Sequence, residues 1–243
     1  MSLKLKVGAF FIVDAHYSYL RPHFLDFLKD IKSQKLKPSQ LILMGDIFDA
    51  LFGGVSKTID VNNEAINLLN DISADIEVIY LEGNHDFNIS KIFPNINIFA
   101  ISKQPIECDY NNKKILLAHG DIESPIAYKL YTAVLRNKFT LFLLSLLNRL
   151  TKNKILNKLN TYLSKKNDCN EFINFEEFIK NRLSSKYKCD YFIEGHFHQN
   201  KSVKFDDFTY INLGAFACNQ RYFSVKSSKE LELLENLFSK ESK

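Results

Sequence analysis

Five of the six histidines in this 243-residue chain come directly after an apolar, strand-like run, together with an Asp, an Asn or another His. A further run of the same kind ends in two aspartates and no His. The five runs are AFFIVDAH, LILMGDIFD, VIYLEGNHD, KILLAHGD and YFIEGHFH. Imidazole nitrogens and carboxylate or amide oxygens, with no thiolate among them, suit Mn, Fe, Zn or Mg. The pattern therefore predicts metal ligands gathered at one edge of a sheet.

The elements that must position these residues alternate between strands and helices. Strands are predicted near 7–13, 40–44, 77–81, 114–118 and 190–193, with later strands at 208–213 and 221–225. Amphipathic helices are predicted over 22–36 and 60–73, between the first strands, and over 229–239 near the end. Short apolar runs that alternate with helical patterns indicate βαβ units and a largely parallel sheet.

Loops at the carboxyl ends of parallel strands converge on one crevice, so the polar residues that follow the strands are expected to meet there. These residues are Asp14, His16, Asp46, Asn84, His119, His196 and His198. They are too many for one ion that must keep open positions, and they indicate two ions that share a carboxylate. Two metal ions about 3.5–4 Å apart can clamp the attacking and leaving oxygens of a phosphoryl displacement. The expected chemistry is metal-assisted hydrolysis at phosphorus.

The spacing of the motifs indicates an inserted segment. The earlier motifs are separated by about the 30 residues of one βαβ unit, whereas the interval from His119 to His196 is about twice as long. Residues 125–166 hold nine Lys or Arg and no acidic residue, and they include the run FTLFLLSLLNRL. We therefore predict a core of residues 1–124 and 187–243, interrupted by a basic, leucine-rich helical cap of residues 125–186. Such a segment suits an anionic partner or a membrane surface.

Composition places limits on the class of protein. A hydrophobic content of 46% supports a sizeable core. The four cysteines form no CxxC pair, so they are interpreted as packing residues, and structural disulfides are not expected. No signal peptide precedes the first strand, which favours a reducing, cytoplasmic setting. No apolar stretch reaches the roughly 18 residues of a membrane span.

In chain order the motifs are Asp14-Ala15-His16, Gly45-Asp46-Ile47-Phe48-Asp49, Gly83-Asn84-His85-Asp86, His119-Gly120-Asp121 and Gly195-His196-Phe197-His198. Together they resemble the calcineurin-like metallophosphoesterase superfamily over residues 7–198. The resemblance implies an α/β fold, a four-layer α-β-β-α sandwich into which the helical cap is inserted. It also implies two sets of metal ligands with Asp46 shared, namely Asp14, His16, Asp46 and His198 for one ion, and Asp46, Asn84, His119 and His196 for the other.

The resemblance implies roles for neighbouring residues as well. His85 would not bind metal but would face the substrate beside Asn84, stabilise the transition-state phosphate and protonate the leaving oxygen. Asp86 is expected to orient His85. Asp49 is expected to support the ligands from behind, and Asp121 either does the same or caps the turn.

A closer resemblance is to the UDP-2,3-diacylglucosamine hydrolase family of lipid A synthesis. It rests on LAHGD followed by Tyr128 and TLFLLSLL, and on GDIFDALFG and GNHDF. It implies a Mn²⁺ enzyme, with Fe or Zn as alternatives, that is peripheral on the cytoplasmic face of the inner membrane and cleaves UDP-2,3-diacylglucosamine to UMP and 2,3-diacylglucosamine 1-phosphate. The best-known branch of that family has Arg in place of His85. The substrate contacts expected here are Asn84, His85, Arg136, Lys165 and Lys166.

Other functions stay open on the sequence alone. The same scaffold could hydrolyse nucleotides, cyclic diesters or phosphoproteins, although such enzymes need no leucine-rich cap. It could also be a non-enzymatic, membrane-associated interaction module, although this chain keeps every expected ligand. Nucleic-acid binding is not expected, because the basic residues of the cap alternate with leucines that favour burial. The oligomeric state also stays open.

Overall fold

A computed structural model describes residues 3–122, 126–165, 169–183 and 187–238. Its strands, in chain order, are β1 Leu3–Lys4, β2 Phe10–Ile12, β3 Gln40–Leu43, β4 Leu51–Phe52, β5 Glu77–Leu81, β6 Asp86–Phe87, β7 Asn97–Phe99, β8 Ile106–Tyr110, β9 Lys113–Ala118, β10 Tyr191–Glu194, β11 Lys201–Lys204, β12 Thr209–Asn212, β13 Arg221–Val225 and β14 Leu233–Leu237. Its α-helices are α1 His23–Lys32, α2 Ser56–Val61, α3 Asn63–Ser73, α4 Ile126–Arg136, α5 Lys138–Leu150, α6 Lys154–Lys165, α7 Phe175–Leu183 and α8 Phe216–Asn219.

Most of these strands belong to two six-stranded sheets, each parallel at its centre. The first sheet has the order β1-β8-β9-β10-β12-β11, with β9, β10 and β12 parallel. The second has the order β14-β13-β2-β3-β5-β7, with β2, β3, β5 and β7 parallel. Antiparallel strands lie toward the edges, and β4 pairs separately with β6. The predicted parallel pairing is therefore confirmed, but it is divided between two sheets.

The layers follow from the apolar residues on both faces of each sheet. Ile42 and Ile193 belong to the core between the two sheets. Phe27 of α1 and Leu69 of α3 pack against the outer face of the second sheet. Ile179 of α7 packs against the outer face of the first. The expected α-β-β-α sandwich is confirmed, and the helices over 22–36 and 60–73 are found as α1 and as α2 with α3.

The prediction of an amphipathic helix over 229–239 is wrong. Residues 233–237 form β14, which pairs antiparallel with β13 in the register Arg221↔Leu237. Phe238 is buried against α1, whereas Leu234 and Leu237 are exposed. The leucine spacing resembles a helical period, but the open edge of β13 provides main-chain hydrogen bonds that make a strand the better structure.

The basic segment forms α4, α5 and α6, and α5 packs against the other two helices. By contrast, α7 packs on the first sheet through Phe175, Ile179 and Leu183. We therefore propose that the inserted part consists of α4–α6 and ends before α7, earlier than residue 186. Within the described residues, no single helix is long and apolar enough to cross a membrane, although α4 and α5, bent by 65°, meet the length and composition requirement as a pair.

Two cysteines contradict the expectation that all four are packing residues and that no structural disulfide forms. Cys169 and Cys218 form a disulfide with a Cα–Cα distance of 5.6 Å. It joins the segment between α6 and α7 to α8, two parts of the chain that are 49 residues apart in sequence and that the fold brings together. Cys108 and Cys189 are free and buried. Burial raises the pKa of Cys108 to about 12, so that its thiol stays protonated.

Candidate metal centre

Loops after five strands converge where the two sheets meet. Asp14 and His16 follow β2, Asp46 follows β3, Asn84 follows β5, His119 follows β9, and His196 and His198 follow β10. Three groups of ligand atoms lie within 4.8 Å of one another: Asp14, His16 and His198; Asp46, His119 and His196; and His16, Asp46 and His85. Six of the seven predicted ligands are therefore in one place, and Asp46 belongs to two of the three groups. The seventh, Asn84, places its Oδ1 3.3 Å from His119 Nε2.

The His119 ring shows what this arrangement requires. Its Nδ1 lies 2.9 Å from the Met44 carbonyl oxygen, which can only accept, so Nδ1 carries the hydrogen in the neutral ring. The Nε2 lone pair then faces Asn84 Oδ1 at 3.3 Å and Asp46 Oδ2 at 3.4 Å, and His196 Nδ1 lies at 3.2 Å. Electron pairs that converge without a hydrogen between them repel each other unless a cation lies among them. This donor set fits a divalent metal ion.

The group formed by Asp14, His16 and His198 contains a hydrogen-bond acceptor without a partner. His198 Nε2 lies 3.6 Å from Asp14 Oδ2, and the His16 and His198 rings are 5.7 Å apart. Asp14 Oδ1 is buried and has no hydrogen-bond partner among the described residues. A buried carboxylate oxygen without a partner is costly unless a ligand or metal ion satisfies it. The second group therefore fits a cation as well.

The charges at the site agree with this interpretation. Burial would raise the pKa of the Asp46 carboxyl, but His119 and His85 hold that pKa well below its usual value. Burial would lower the pKa of His119, but the carboxylates of Asp46 and Asp14 raise it well above normal. The carboxylates therefore favour a positive charge at Nε2, which is either a proton or a metal ion in its place. Burial and the nearby His119 lower the pKa of His196 to about 4, which keeps this ring neutral, as a metal ligand must be.

The backbone at the strand ends is strained in a way that supports a functional site. Asp14, His16, Asp46, His196 and His198 all have φ between 45° and 63°. This left-handed region is uncommon for residues other than glycine, and such conformations cluster at functional sites. The sharp turns direct these side chains into the crevice rather than along the sheets. Gly45, which directly precedes Asp46, has φ 87°, and a Cβ added there would lie 2.6 Å from Nδ1 of the His119 ring.

His85 lies beside His16 and Asp46 in the third of these groups. Its Nδ1 is 2.8 Å from the Asp49 carbonyl oxygen, so the hydrogen of the neutral ring sits on Nδ1 and Nε2 faces the site. Nε2 lies 4.0 Å from Asp46 Oδ2, and the His85 backbone N–H donates to Asp46 Oδ1 at 2.8 Å. Asp49 also places Oδ1 3.4 Å from His16 Nδ1, in keeping with a supporting role.

The expectation that Asp86 orients His85 is corrected. The Asp86 carboxylate accepts hydrogen bonds from the backbone N–H groups of Asp46, Ile47, Phe48 and Gly83 and from the Tyr80 hydroxyl. Its role is to hold the loop that carries Asp46, and the orienting partner of His85 is the Asp49 carbonyl. A buried carboxylate satisfies several amide groups at once, which explains why it sits under this turn. Burial and the charge of Asp46 raise the pKa of Asp86 to about 7.

The three basic residues that were expected to contact the substrate lie in different surroundings. Arg136 Nη2 donates to Asp121 Oδ2 at 3.3 Å and to the Gly83 carbonyl at 3.1 Å, and its guanidinium lies over the Phe87 ring. This arginine and Asp121 therefore anchor the end of α4 to the loop before Asn84. Lys165 is exposed at the end of α6. Lys166 lies outside the described residues.

A buried ion pair behind the site was missed from the sequence. The guanidinium of Arg182 in α7 forms a bidentate ion pair with the Glu194 carboxylate, with both N–O distances at 2.7 Å. It also donates to the Gly120 carbonyl at 3.1 Å. The Tyr210 hydroxyl donates to Glu194 at 3.1 Å. These bonds hold the two strand ends that carry His119 and His196. The signal was a glutamate that ends the apolar run YFIE, because a buried acid requires a partner.

Replacing Arg182 with Met should destabilise the protein by about 3–5 kcal/mol, because it leaves a fully buried Glu194 without its cation. For a chain of this size we expect the unfolding midpoint to fall by roughly 6–20 °C, measured by differential scanning calorimetry. Adding Glu194→Gln should recover part of the loss, since both charges are then gone and Tyr210 keeps an acceptor. A midpoint within about 2 °C of wild type for Arg182→Met would contradict this role.

Comparison with known proteins identifies the family to which this chain belongs. Residues 11–200 match the family described as calcineurin-like phosphoesterase. The UDP-2,3-diacylglucosamine hydrolase of Histophilus somni (strain 129Pt) is 24% identical over 225 residues, which cover 90% of this chain and 96% of that protein. The protein of the same name from Coxiella burnetii (strain RSA 331 / Henzerling II) is 31% identical over 115 residues, 46% of either chain. Among solved structures, the phosphoesterase Yfce from E. coli is 14% identical, with a TM-score of 0.48 over 95% of this chain and 99% of that one.

Proposed function

Because this chain belongs to the calcineurin-like phosphoesterase family and is a metal-dependent hydrolase, we propose that it cleaves the pyrophosphate bond of UDP-2,3-diacylglucosamine to give UMP and 2,3-diacylglucosamine 1-phosphate. The names of the similar curated proteins support this substrate. The single observation that carries the proposal is an apolar cavity that opens beside the candidate metal centre.

This cavity, called here the apolar cavity, has a volume of about 390 Å³. Asn84, His85 and Asp49 form its polar end. The rest is lined mainly by apolar side chains of the core and of α4–α6, among them Phe52, Phe87, Leu135, Leu141, Leu144 and Leu159. A lipid-linked phosphate can place its phosphorus at the polar end and its acyl chains among the leucines, where burial of each CH₂ contributes about 0.8 kcal/mol. A small nucleotide or a phosphoprotein has no acyl chain to bury in this cavity.

We propose that the residues gathered at the strand ends hold two Mn²⁺ ions, with Fe and Zn as alternatives that accept the same donors. The ligands proposed for one ion are Asp14, His16, Asp46 and His198, and those for the other are Asp46, Asn84, His119 and His196. When bound, such a pair supplies a hydroxide near neutral pH and offsets the charge of the phosphate oxygens.

The protein's own groups complete the proposed chemistry. The Asp49 carbonyl holds the Nδ1–H of His85, so that in the protonated ring Nε2 also bears a hydrogen and can donate it to a phosphate oxygen or to the leaving oxygen. The bond from the His85 backbone to Asp46 Oδ1 fixes the distance between this donor and the metal ligands. Tyr128 lines the apolar cavity, and burial raises its pKa to about 12, so its hydroxyl remains a hydrogen-bond donor there.

The direct test is incubation of the Mn²⁺-loaded protein with UDP-2,3-diacylglucosamine at micromolar concentration and measurement of UMP by chromatography. We expect UMP and the lipid phosphate in equal amounts, and no UMP after chelation of the metal. A chromogenic phosphodiester cleaved faster than the lipid nucleotide would favour a general phosphodiesterase instead. Absence of UMP with metal present would exclude the proposed reaction.

The helices α4 and α5 also present an apolar surface that we propose contacts a membrane, with the protein peripheral on the cytoplasmic face of the inner membrane. Its members are more than half exposed, namely Ile126, Leu130, Val134, Phe139, Phe142 and Leu150. The described part of the segment, residues 126–165, carries eight Lys or Arg and no acid. Exposed apolar side chains beside basic ones match the interface of an anionic lipid bilayer.

Replacing Phe139 and Phe142 together with Ser should lower binding to vesicles that contain anionic lipid by about ten-fold or more, since each Phe loses apolar area that the bilayer would bury. Sedimentation with vesicles at two salt concentrations measures both the apolar and the charge contribution. Leu237→Ser, which changes an exposed leucine on β14, is the matched control and should bind as wild type does. Equal binding by the double variant and the control would contradict a role for this surface.

A further inference from the structure

The chain returns from the helices α4–α6 to the core through residues 169–174, called here the return segment. These residues lie directly before α7, which packs on the outer face of the first sheet. They form neither a helix nor a strand, so their position depends on contacts with other parts of the chain. Two of these contacts reach residues beside candidate metal ligands.

The first contact is made by Gln199, the residue after His198. Its side-chain oxygen accepts from the Phe172 N–H at 2.7 Å, and its side-chain nitrogen donates to the Asn170 carbonyl at 3.1 Å. Its own N–H donates at 2.8 Å to Oδ1 of Asn212, the last residue of β12. Gln199 therefore fixes the return segment to the backbone that carries His198.

The second contact is the disulfide between Cys169, at the start of the return segment, and Cys218 in α8. The short helix α8 also holds the turn after β2, because the Ala217 N–H donates to the Asp14 carbonyl at 3.1 Å. Asp14 and His198 belong to the same group of candidate ligands. The return segment is thus attached next to two members of that group, by the disulfide on one side and by Gln199 on the other.

The disulfide is accessible to small thiols. Cys169 is exposed, whereas the free Cys108 and Cys189 are buried. A small thiolate can attack the bond and form a mixed disulfide, and a second thiolate then releases the small molecule as its own disulfide. The protein gains two electrons and two protons that the two small thiols lose, so the reaction reverses with the ratio of thiol to disulfide in solution. Burial raises the pKa of Cys108 to about 12 and that of Cys189 to about 11, so these two thiols stay protonated and do not exchange.

We infer that the Cys169–Cys218 pair is a reversible redox site for small thiols such as glutathione, and that its oxidised form holds the turn that carries Asp14 more firmly than its reduced form. Reduction removes one of the two attachments of the return segment, and this turn then moves more freely. The metal ion proposed for Asp14, His16 and His198 should therefore bind less tightly to the reduced protein. This effect on the metal ion rests on the proposed function, whereas the redox site itself does not.

The first measurement determines whether the pair exchanges in the folded protein. Wild type is equilibrated in glutathione buffers of different reduced-to-oxidised ratios, alkylated and analysed by mass spectrometry. We expect the thiols of Cys169 and Cys218 to become reactive reversibly as the ratio changes, while the two buried cysteines stay unlabelled. Hydrogen exchange of residues 169–174 and 216–219 should be about ten-fold faster or more in the reduced protein, because a local opening then breaks fewer contacts.

The second measurement is the Mn²⁺ affinity of both forms, by competition with a fluorescent chelator under nitrogen after the glutathione has been removed. We expect the reduced form to bind an ion about three- to ten-fold less tightly, a smaller loss than the roughly 10–100-fold that follows removal of a direct partner of a ligand. Cys169→Ser should behave as the reduced form in every buffer. Cys189→Ala, the matched control, keeps the disulfide and should respond to glutathione as wild type does.

Equal exchange rates or equal Mn²⁺ affinities for the oxidised and reduced forms would overturn the inference, as would a disulfide that glutathione does not reduce in the folded protein. A reduced form that exchanges faster, although neither form binds Mn²⁺, would support the redox site and contradict the proposed metal ligands.

Discussion

Replacing Asp46 with Asn should lower UMP release from UDP-2,3-diacylglucosamine by at least about 10³-fold and remove most of the bound metal. The proposed site places Asp46 between both ions, so one substitution removes a negatively charged ligand from each. Loss of the several kcal/mol of charge stabilisation that two metal ions contribute corresponds to a change of this size. Turnover and metal content are measured on the same preparation, by chromatography and by elemental analysis.

The amide of Asn keeps the shape of the side chain and an oxygen that can accept from the His85 backbone N–H, now 2.8 Å from Asp46 Oδ1. The effect is therefore expected to come from the charge rather than from collapse of the loop. Asp71→Asn on the exposed side of α3 is the matched control and should retain metal and activity. An Asp46→Asn protein with full metal content would contradict the shared ligand.

Replacing His85 with Ala should lower turnover by about 10²–10⁴-fold and leave the metal content at the wild-type level, because in the proposed mechanism the ring donates to the substrate rather than to a metal ion. Nδ1 is held by a carbonyl, so only Nε2 faces the site, 4.0 Å from Asp46 Oδ2. Since His85 also lies close enough to His16 and Asp46 to be a ligand, the metal content of the variant decides between the two roles. Single-turnover kinetics and elemental analysis together measure the two effects.

His23→Ala is the control for the His85 substitution. His23 is exposed at the start of α1, and its loss should change neither turnover nor metal content. If His85→Ala lost metal and activity together, the ring would have to be counted among the ligands.

The strands that carry the site could be predicted because each combines a short apolar run with a polar turn. The hairpin β8–β9 was missed, although Asn111 and Asn112 sit between IECDY and KKILLA. Both asparagines have positive φ, 50° and 64°, as a tight two-residue turn requires. An Asn-Asn pair between two strand-like runs was therefore an available signal that was not used.

Other features could not be predicted because they depend on contacts distant in sequence. The left-handed backbone of Asp14 and His16 is imposed by neighbouring loops, since the His16 N–H donates to the Asp46 carbonyl. Asp86 accepts hydrogen bonds mainly from backbone N–H groups of the loop that carries Asp46. Every residue except proline has such a group, so the residue types do not indicate this contact. The strand β14 took the place of a predicted helix because the free edge of β13 outweighed local leucine spacing.

The central claim is that two divalent ions bind where the sheet ends meet and share Asp46. Anomalous diffraction from crystals grown with Mn²⁺, recorded on both sides of the manganese absorption edge, tests it directly. The account predicts two peaks about 3.5–4 Å apart, both within coordination distance of Asp46. A single peak, or two peaks of which only one contacts Asp46, would contradict it.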